Sequence, residues 1–228
     1  MDTEGMGSLD EDSNHDIRVF SLALLLSSTF IYNSVGNIDE SALQSLDLLI
    51  GVTKNIQYKA SSATKNVFRR TEQDAQELAQ FFPRFLWVVR DFSLQLIDAS
   101  GEPISMKQYL EAALTLQKGT SEGALNKNKI RKAIMSYFKE RDCVCMVRPL
   151  TDETNLQSLE ELEIDDLRPQ FVEQMTYLRR KVLNKTHPKE MFGKPLSGPF
   201  LAGLADAYTA AINQGAIPNI ESAWTYVC

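Results

Sequence analysis

The chain has 228 residues, 43% of them hydrophobic and 24% charged, which is the composition of a soluble globular protein with length enough for a substantial core. Its net charge of −6 argues against a broadly basic face, and so against nucleic acid or an anionic membrane as the main partner. Three cysteines (Cys143, Cys145, Cys228) make no disulfide framework and lack the paired C-x-x-C knuckles of a structural zinc site, so a reducing compartment is expected.

Residues 1–15 are rich in glycine and acidic side chains and read as a loop. They open with Asp2-Thr3-Glu4-Gly5, a D-x-x-G tetrapeptide. Where that motif is functional, the aspartate sits at a strand end and reaches Mg²⁺, usually through water. The glycine, with no Cβ, lets its N–H approach a terminal phosphate. The same four letters also make an ordinary acidic turn, and two fixed positions do not separate the readings. The acidic start does not resemble a secretory signal, and the longest apolar stretch, Val19 to Tyr32, is too short and serine-rich to span a bilayer. Without a signal or a span, the expectation is an intracellular protein.

"DIRVFSLALLLSSTFIYNSVG" begins with helical spacing and turns near Ser27 into a β-branched and aromatic run closed by Gly36, as expected of a buried strand. Leu43, Leu46, Leu49 and Ile50 then repeat at helical spacing after Asp39 and Glu40, which suit a helix amino end. Residues 57–66 read as a loop, and "TEQDAQELAQFFP" as a polar helix stopped at Pro83. "RFLWVVRDF" is the clearest strand. A turn follows, then a helix capped by Ser105, a short helix over "NKIRKAIMSYF", and a buried strand "DCVCMVRP" that should hold the reduced cysteines. From Pro149 onward the pattern is all-helical, with pieces at 156–163, 169–183, 198–215 (stopped by Gly215) and 220–228.

Strands at about 27–35, 84–90 and 143–148, separated by helices, predict an α/β fold with a parallel, doubly wound sheet. Such sheets bind ligands beyond the carboxyl ends of their strands. Asp2-x-x-Gly5, Arg90-Asp91 and Arg148-Pro149 all fall at or near such ends. A carboxylate placed like Asp91 can accept two N–H bonds from the Watson–Crick edge of guanine, a donor pair that adenine lacks. The planar head of Arg90 can lie along the base. The alternative for this pair is a plain surface ion pair of little energy. His15 and His187 read as surface residues, and Trp87 and Trp224 as core or interface. "YLRRKVLNKTHPKE" is a solvated basic face or a docking surface.

Taken in order, "DTEGMG", "LALLLSSTFIYNSVGNID", "FFPRFLWVVRDFSLQL", "YLEAALTLQKGTS" and "FVEQMTYLRRKVL" resemble the GTPase-domain segments of the guanylate-binding protein family. These are large, dynamin-like GTPases, with atlastins as more distant relatives. "PLSGPFLAGLADAYTAAINQGAIPNIESAW" resembles the end of that domain, where the chain passes toward a helical stalk. The resemblance implies a P-loop GTPase-type sheet binding GTP or GDP with Mg²⁺. Asp2 is implied as the Mg²⁺-linked aspartate, Gly5 as the γ-phosphate sensor and Glu4 as an organiser of the attacking water. Arg90 and Asp91 match the R-D guanine-specificity pair, although Val89 stands where leucine is common. Arg148-Pro149 resembles the start of the guanine-cap loop, through which GTPase domains of the family pair as homodimers. "LTDETNLQSLEEL" after it is less basic than that loop can be.

The departures set further expectations. G-x-x-x-x-G-K-[ST] occurs nowhere in the chain, and "FGKPLSG" is no substitute because Pro195 has no N–H to offer a phosphate. The resemblance therefore implies the carboxyl-terminal two-thirds of a GTPase domain, over residues 1–215, with 216–228 starting the linker to the stalk. Alone, this polypeptide should be inactive, and in full-length form it should be a cytoplasmic GTPase with membrane association left open. The alternative is a naturally short, non-catalytic module that docks on full-length relatives.

Overall fold

The computed structural model of the protein describes residue 3, residues 13–46, residue 56, and residues 78–119, 121–152 and 154–227. The chain enters them through α1 (Ser13–Leu26), which takes in His15 and so begins earlier than the expected loop allowed. Ser27 ends the helix by donating its hydroxyl to Ala23 O, 2.6 Å away, and the chain straightens into β1 (Thr29–Val35). A short α2 (Glu40–Gln44) is capped by Asp39, whose side chain accepts from the Ala42 N–H at 2.8 Å. The expected continuation to Ile50, the 57–66 loop and most of the helix before Pro83 lie outside the described residues.

β2 (Arg84–Arg90) is central, with β1 and β3 (Arg141–Cys145) pairing parallel on either side in the order β1-β2-β3. Between β2 and β3 come α3 (Met106–Ala113) and α4 (Glu122–Tyr137). Ser105 caps α3 in a reciprocal capping box with Gln108. α4, capped by Ser121, starts six residues before the expected Asn128, because its first turns are mostly polar and their one large apolar residue, Leu125, faces solvent. β3 begins and ends earlier than expected. Arg141 and Asp142 join the ladder because ion pairs partner them: Arg141 with Glu111 at 2.7 Å, and Asp142 with Lys181 at 2.8 Å. The strand stops at Cys145 because the Val147 N–H donates to the Gln174 side chain, 2.8 Å away, and Pro149 has no N–H.

After β3, residues 155–161 and 164–166 form 3₁₀ turns rather than an α-helix, with a non-helical kink at Ser158. Then come α5 (Pro169–Lys185), α6 (Gly198–Asn213) and α7 (Ile220–Val227). The all-helical expectation for this part fails at one point. β4 (Glu190–Met191) and β5 (Lys194–Pro195) form a hairpin whose central residues, Phe192 and Gly193, both have positive φ (51° and 73°).

Helices cover both faces of the sheet. Tyr32, Phe85, Trp87, Val89, Cys143 and Cys145 face one large cluster with Leu24, Leu110, Ile134 and Tyr208, drawn from α1, α3, α4 and α6. Phe85 stacks on Phe138 with ring centres 4.7 Å apart, and the buried Trp87 indole donates to Ser34 Oγ at 2.8 Å. Leu86, Val88, Val144 and Met146 face the other way, onto Phe171, Met175, Leu178 and Val182 of α5. Alternate residues of one strand thus serve two cores, the hallmark of a doubly wound α/β sheet. None of the described helices is long and apolar enough to cross a membrane.

Candidate functional site at the carboxyl ends of the strands

Three backbone bonds tie the strand ends together. The Gly36 N–H donates to Arg90 O (2.8 Å), Met146 N–H to Val89 O (2.8 Å) and Phe92 N–H to Met146 O (2.9 Å). Between the last two, Asp91 takes a left-handed conformation with φ 55°, which aspartate tolerates better than most residues. The turn lifts its side chain off the ladder into a cleft of about 620 Å³. Apolar Phe92, Leu94, Met106 and Val147 line part of this cleft, with Asp91, Arg148 and Arg168 as its charged groups.

Arg148 Nε lies 3.5 Å from Asp91 Oδ2, and both side chains remain partly open to solvent. The structure therefore joins Asp91 and Arg148, 57 positions apart in the sequence, at one cleft. It does not place Arg90 there. Arg90 turns toward β1 instead, where its Nε donates to Asn33 Oδ1 at 2.9 Å. Asp2, Glu4 and Gly5 lie outside the described residues. Among those described, no three His, Cys, Asp or Glu side chains gather as a metal cluster. Cys145 also lines the cleft, and its Sγ sits 3.8 Å from that of Cys143; both are free and buried, as their strand implied.

Sequence reasoning missed two residues that shape the cleft. Arg168, just before α5, donates from Nη1 to Arg148 O (3.2 Å), while its own N–H donates to Pro149 O (2.9 Å). Gln174, one turn into the same helix, holds the Val147 N–H. Together they pin the backbone of the loop that carries Arg148. The available signal was the repeated Arg-Pro, at 148–149 and again at 168–169. It marks a loop start and a helix start but not that the two meet.

A half-buried carboxylate beside an arginine, above an apolar wall and at the carboxyl end of a parallel sheet, can read a flat polar ring by its N–H edge. Residues 1–191 match a family model described as guanylate-binding protein, N-terminal domain. Over 225 residues, 98% of its length, the chain is 36% identical to guanylate-binding protein 2 of Homo sapiens and equally to that of Mus musculus, across 37% of each relative. Guanylate-binding protein 6 of Homo sapiens is also 36% identical over 225 residues, 35% of its own length. The chain thus spans little more than a third of the curated relatives it matches. It belongs to the guanylate-binding protein family.

Proposed function

We propose that this chain carries the base-reading and phosphate-sensing parts of a GTP-hydrolysing domain, with guanine seated in the cleft beneath Asp91 and Arg148. The observation that carries this reading is Asp91 itself, held by the left-handed turn with its carboxylate partly exposed over apolar side chains. That carboxylate accepts the two N–H bonds of the guanine edge. Arg148, already within 3.5 Å, steadies its charge and begins the loop that closes over the base. Arg90 lays its planar head beside the base once it leaves Asn33.

Asp2, a hard oxygen donor of the kind Mg²⁺ prefers, would hold that ion through water, and the ion would neutralise charge on the phosphates. Gly5 offers its N–H to the terminal phosphate and Glu4 orients the attacking water. In the complete protein these parts serve GTP hydrolysis, in domains that pair face to face and in a cytoplasmic setting. The domain runs to about residue 215, and the stretch from 216 leads toward a stalk. The 228 residues contain no G-x-x-x-x-G-K-[ST], so this polypeptide alone hydrolyses GTP at no useful rate.

The test is a titration of the chain with GMP and with AMP, followed by NMR at the cleft. GMP should bind weakly but better than AMP, and Asp91→Asn should reduce GMP affinity about 10- to 100-fold, the worth of a charge-assisted pair. Equal binding of the two nucleotides, or an Asp91→Asn variant that binds GMP as well as the parent, would remove the proposal.

A further inference from the structure

At the amino ends of the strands, about 20 Å along the sheet from Asp91, lies a second cleft of about 490 Å³. Its charged lining is Arg84, Lys139, Lys185 and Lys189 against Glu140 and Glu190, with His187 beside them. In a chain of net charge −6 this is a local excess of cations.

Arg84 is the informative group. Its side chain is 8% exposed, and its Nη1 is buried without a hydrogen-bond partner among the described residues. Nη2 lies 3.5 Å from Asp142 Oδ2, but that carboxylate is held more closely by Lys181 Nζ at 2.8 Å and also accepts from the Cys143 N–H. One carboxylate is shared by two cations, so Arg84 is under-compensated, and a buried charge in that condition is costly. Lys189 deepens the imbalance. It is buried, and among the described residues its Nζ donates to two carbonyls, Ser27 O at 2.9 Å and Phe81 O at 2.5 Å. Phe82 and Tyr137, with ring centres 5.0 Å apart, supply an apolar wall.

We infer that this cleft is a binding site for a phosphate monoester, with the oxyanion paired to Arg84 at the floor and to Lys139 and Lys185 at the rim. A turn of the guanidinium about its terminal torsions brings the orphaned Nη1 to the ligand, and the anion supplies the compensation that Asp142 only shares. The ring wall favours phosphate carried on a small flat body over the bare ion. The site is separate from the base cleft, so it stands or falls apart from the nucleotide reading.

The test uses the full chain, with inorganic phosphate and phenyl phosphate as probes and amide NMR shifts as the readout. Saturable shifts are expected around residues 81–85, 137–140 and 185–190, larger affinity for phenyl phosphate, and none around 91–96. Lys139 and Lys185 are exposed, so the double variant Lys139→Ser/Lys185→Ser should keep its fold and bind at least about fivefold more weakly. Arg84→Met should abolish the shifts. Shifts that do not saturate, that centre on Asp91 and Arg148, or that persist unchanged in the double variant overturn the assignment; a misfolded Arg84→Met leaves the double variant to decide.

Discussion

The two faces of the three-stranded sheet are covered unequally. On the first, side chains from α1, α3, α4 and α6 close over Tyr32, Phe85, Trp87 and Cys143. On the second, α5 covers the residues of β2 and β3 and stops short of β1. Ile31 and Val35, which point that way, are 44% and 57% exposed among the described residues. The same strand is therefore core on one side and surface on the other. A central strand is buried by its neighbours and by both helix layers, whereas an edge strand depends on whichever layer reaches it.

Removing a ring from the covered face should break this contrast most visibly. Phe85→Ala opens a hole beneath Phe138, Trp87 and Tyr32 and should cost about 3–5 kcal/mol by urea unfolding. Leu86→Ala, one residue on but facing α5, should cost about 2–5 kcal/mol, showing that β2 is core on both sides. If Leu86→Ala proves nearly neutral, the second face is not a true core.

A smaller effect should come from Lys189, whose burial pulls its pKa down to about 8 from the usual lysine value. Below that pH the ammonium is charged in folded and unfolded chains alike, and the folded state bears the desolvation cost. Between about pH 8 and pH 10 the folded lysine sheds its proton while the unfolded one keeps it. Its contribution to stability then rises with pH by about 1.4 kcal/mol per unit. Lys189→Met lacks the group, so the stability gap between parent and variant should move in the parent's favour across that window. A gap independent of pH would mean the amine is solvated after all. Smallest of all, Ile31→Ser on the open side of β1 should stay within about 0.5 kcal/mol of the parent. A loss several times larger would reveal that the face is covered in solution.

Only part of this contrast was legible in the letters. The unbroken "FLWVV" of β2 reads as a buried strand and is one, but the β-branched and aromatic "TFIYNSV" reads as buried too, and the exposure of Ile31 and Val35 corrects it, because α5 stops short of β1. The parallel order and the meeting of Arg-Asp with Arg-Pro near strand ends also followed from the alternation of elements. What escaped were pairings across long stretches of chain. Arg141 and Asp142 looked too charged for a strand until Glu111 and Lys181 partnered them. The end of β3 is set by Gln174, 29 positions beyond Cys145. The 190–195 hairpin is two residues per strand, too short for any period to show. Lys189 gave no sign of burial, because a lysine's place in the sequence says nothing about which carbonyls will receive it.

The left-handed backbone at Asp91 limits what can replace it. Alanine or glutamate there would carry a strain of about 1–2 kcal/mol before any ligand is considered, because their Cβ meets the following carbonyl. Glycine has no Cβ to clash, and asparagine, like aspartate, offsets part of the strain by local hydrogen bonding through its short polar side chain. Of the two, only asparagine keeps a side chain of the same shape while surrendering the charge. Sequence drift at this position should therefore run along a narrow path through asparagine and glycine. The same geometry makes the loss of base preference separable from the loss of fold.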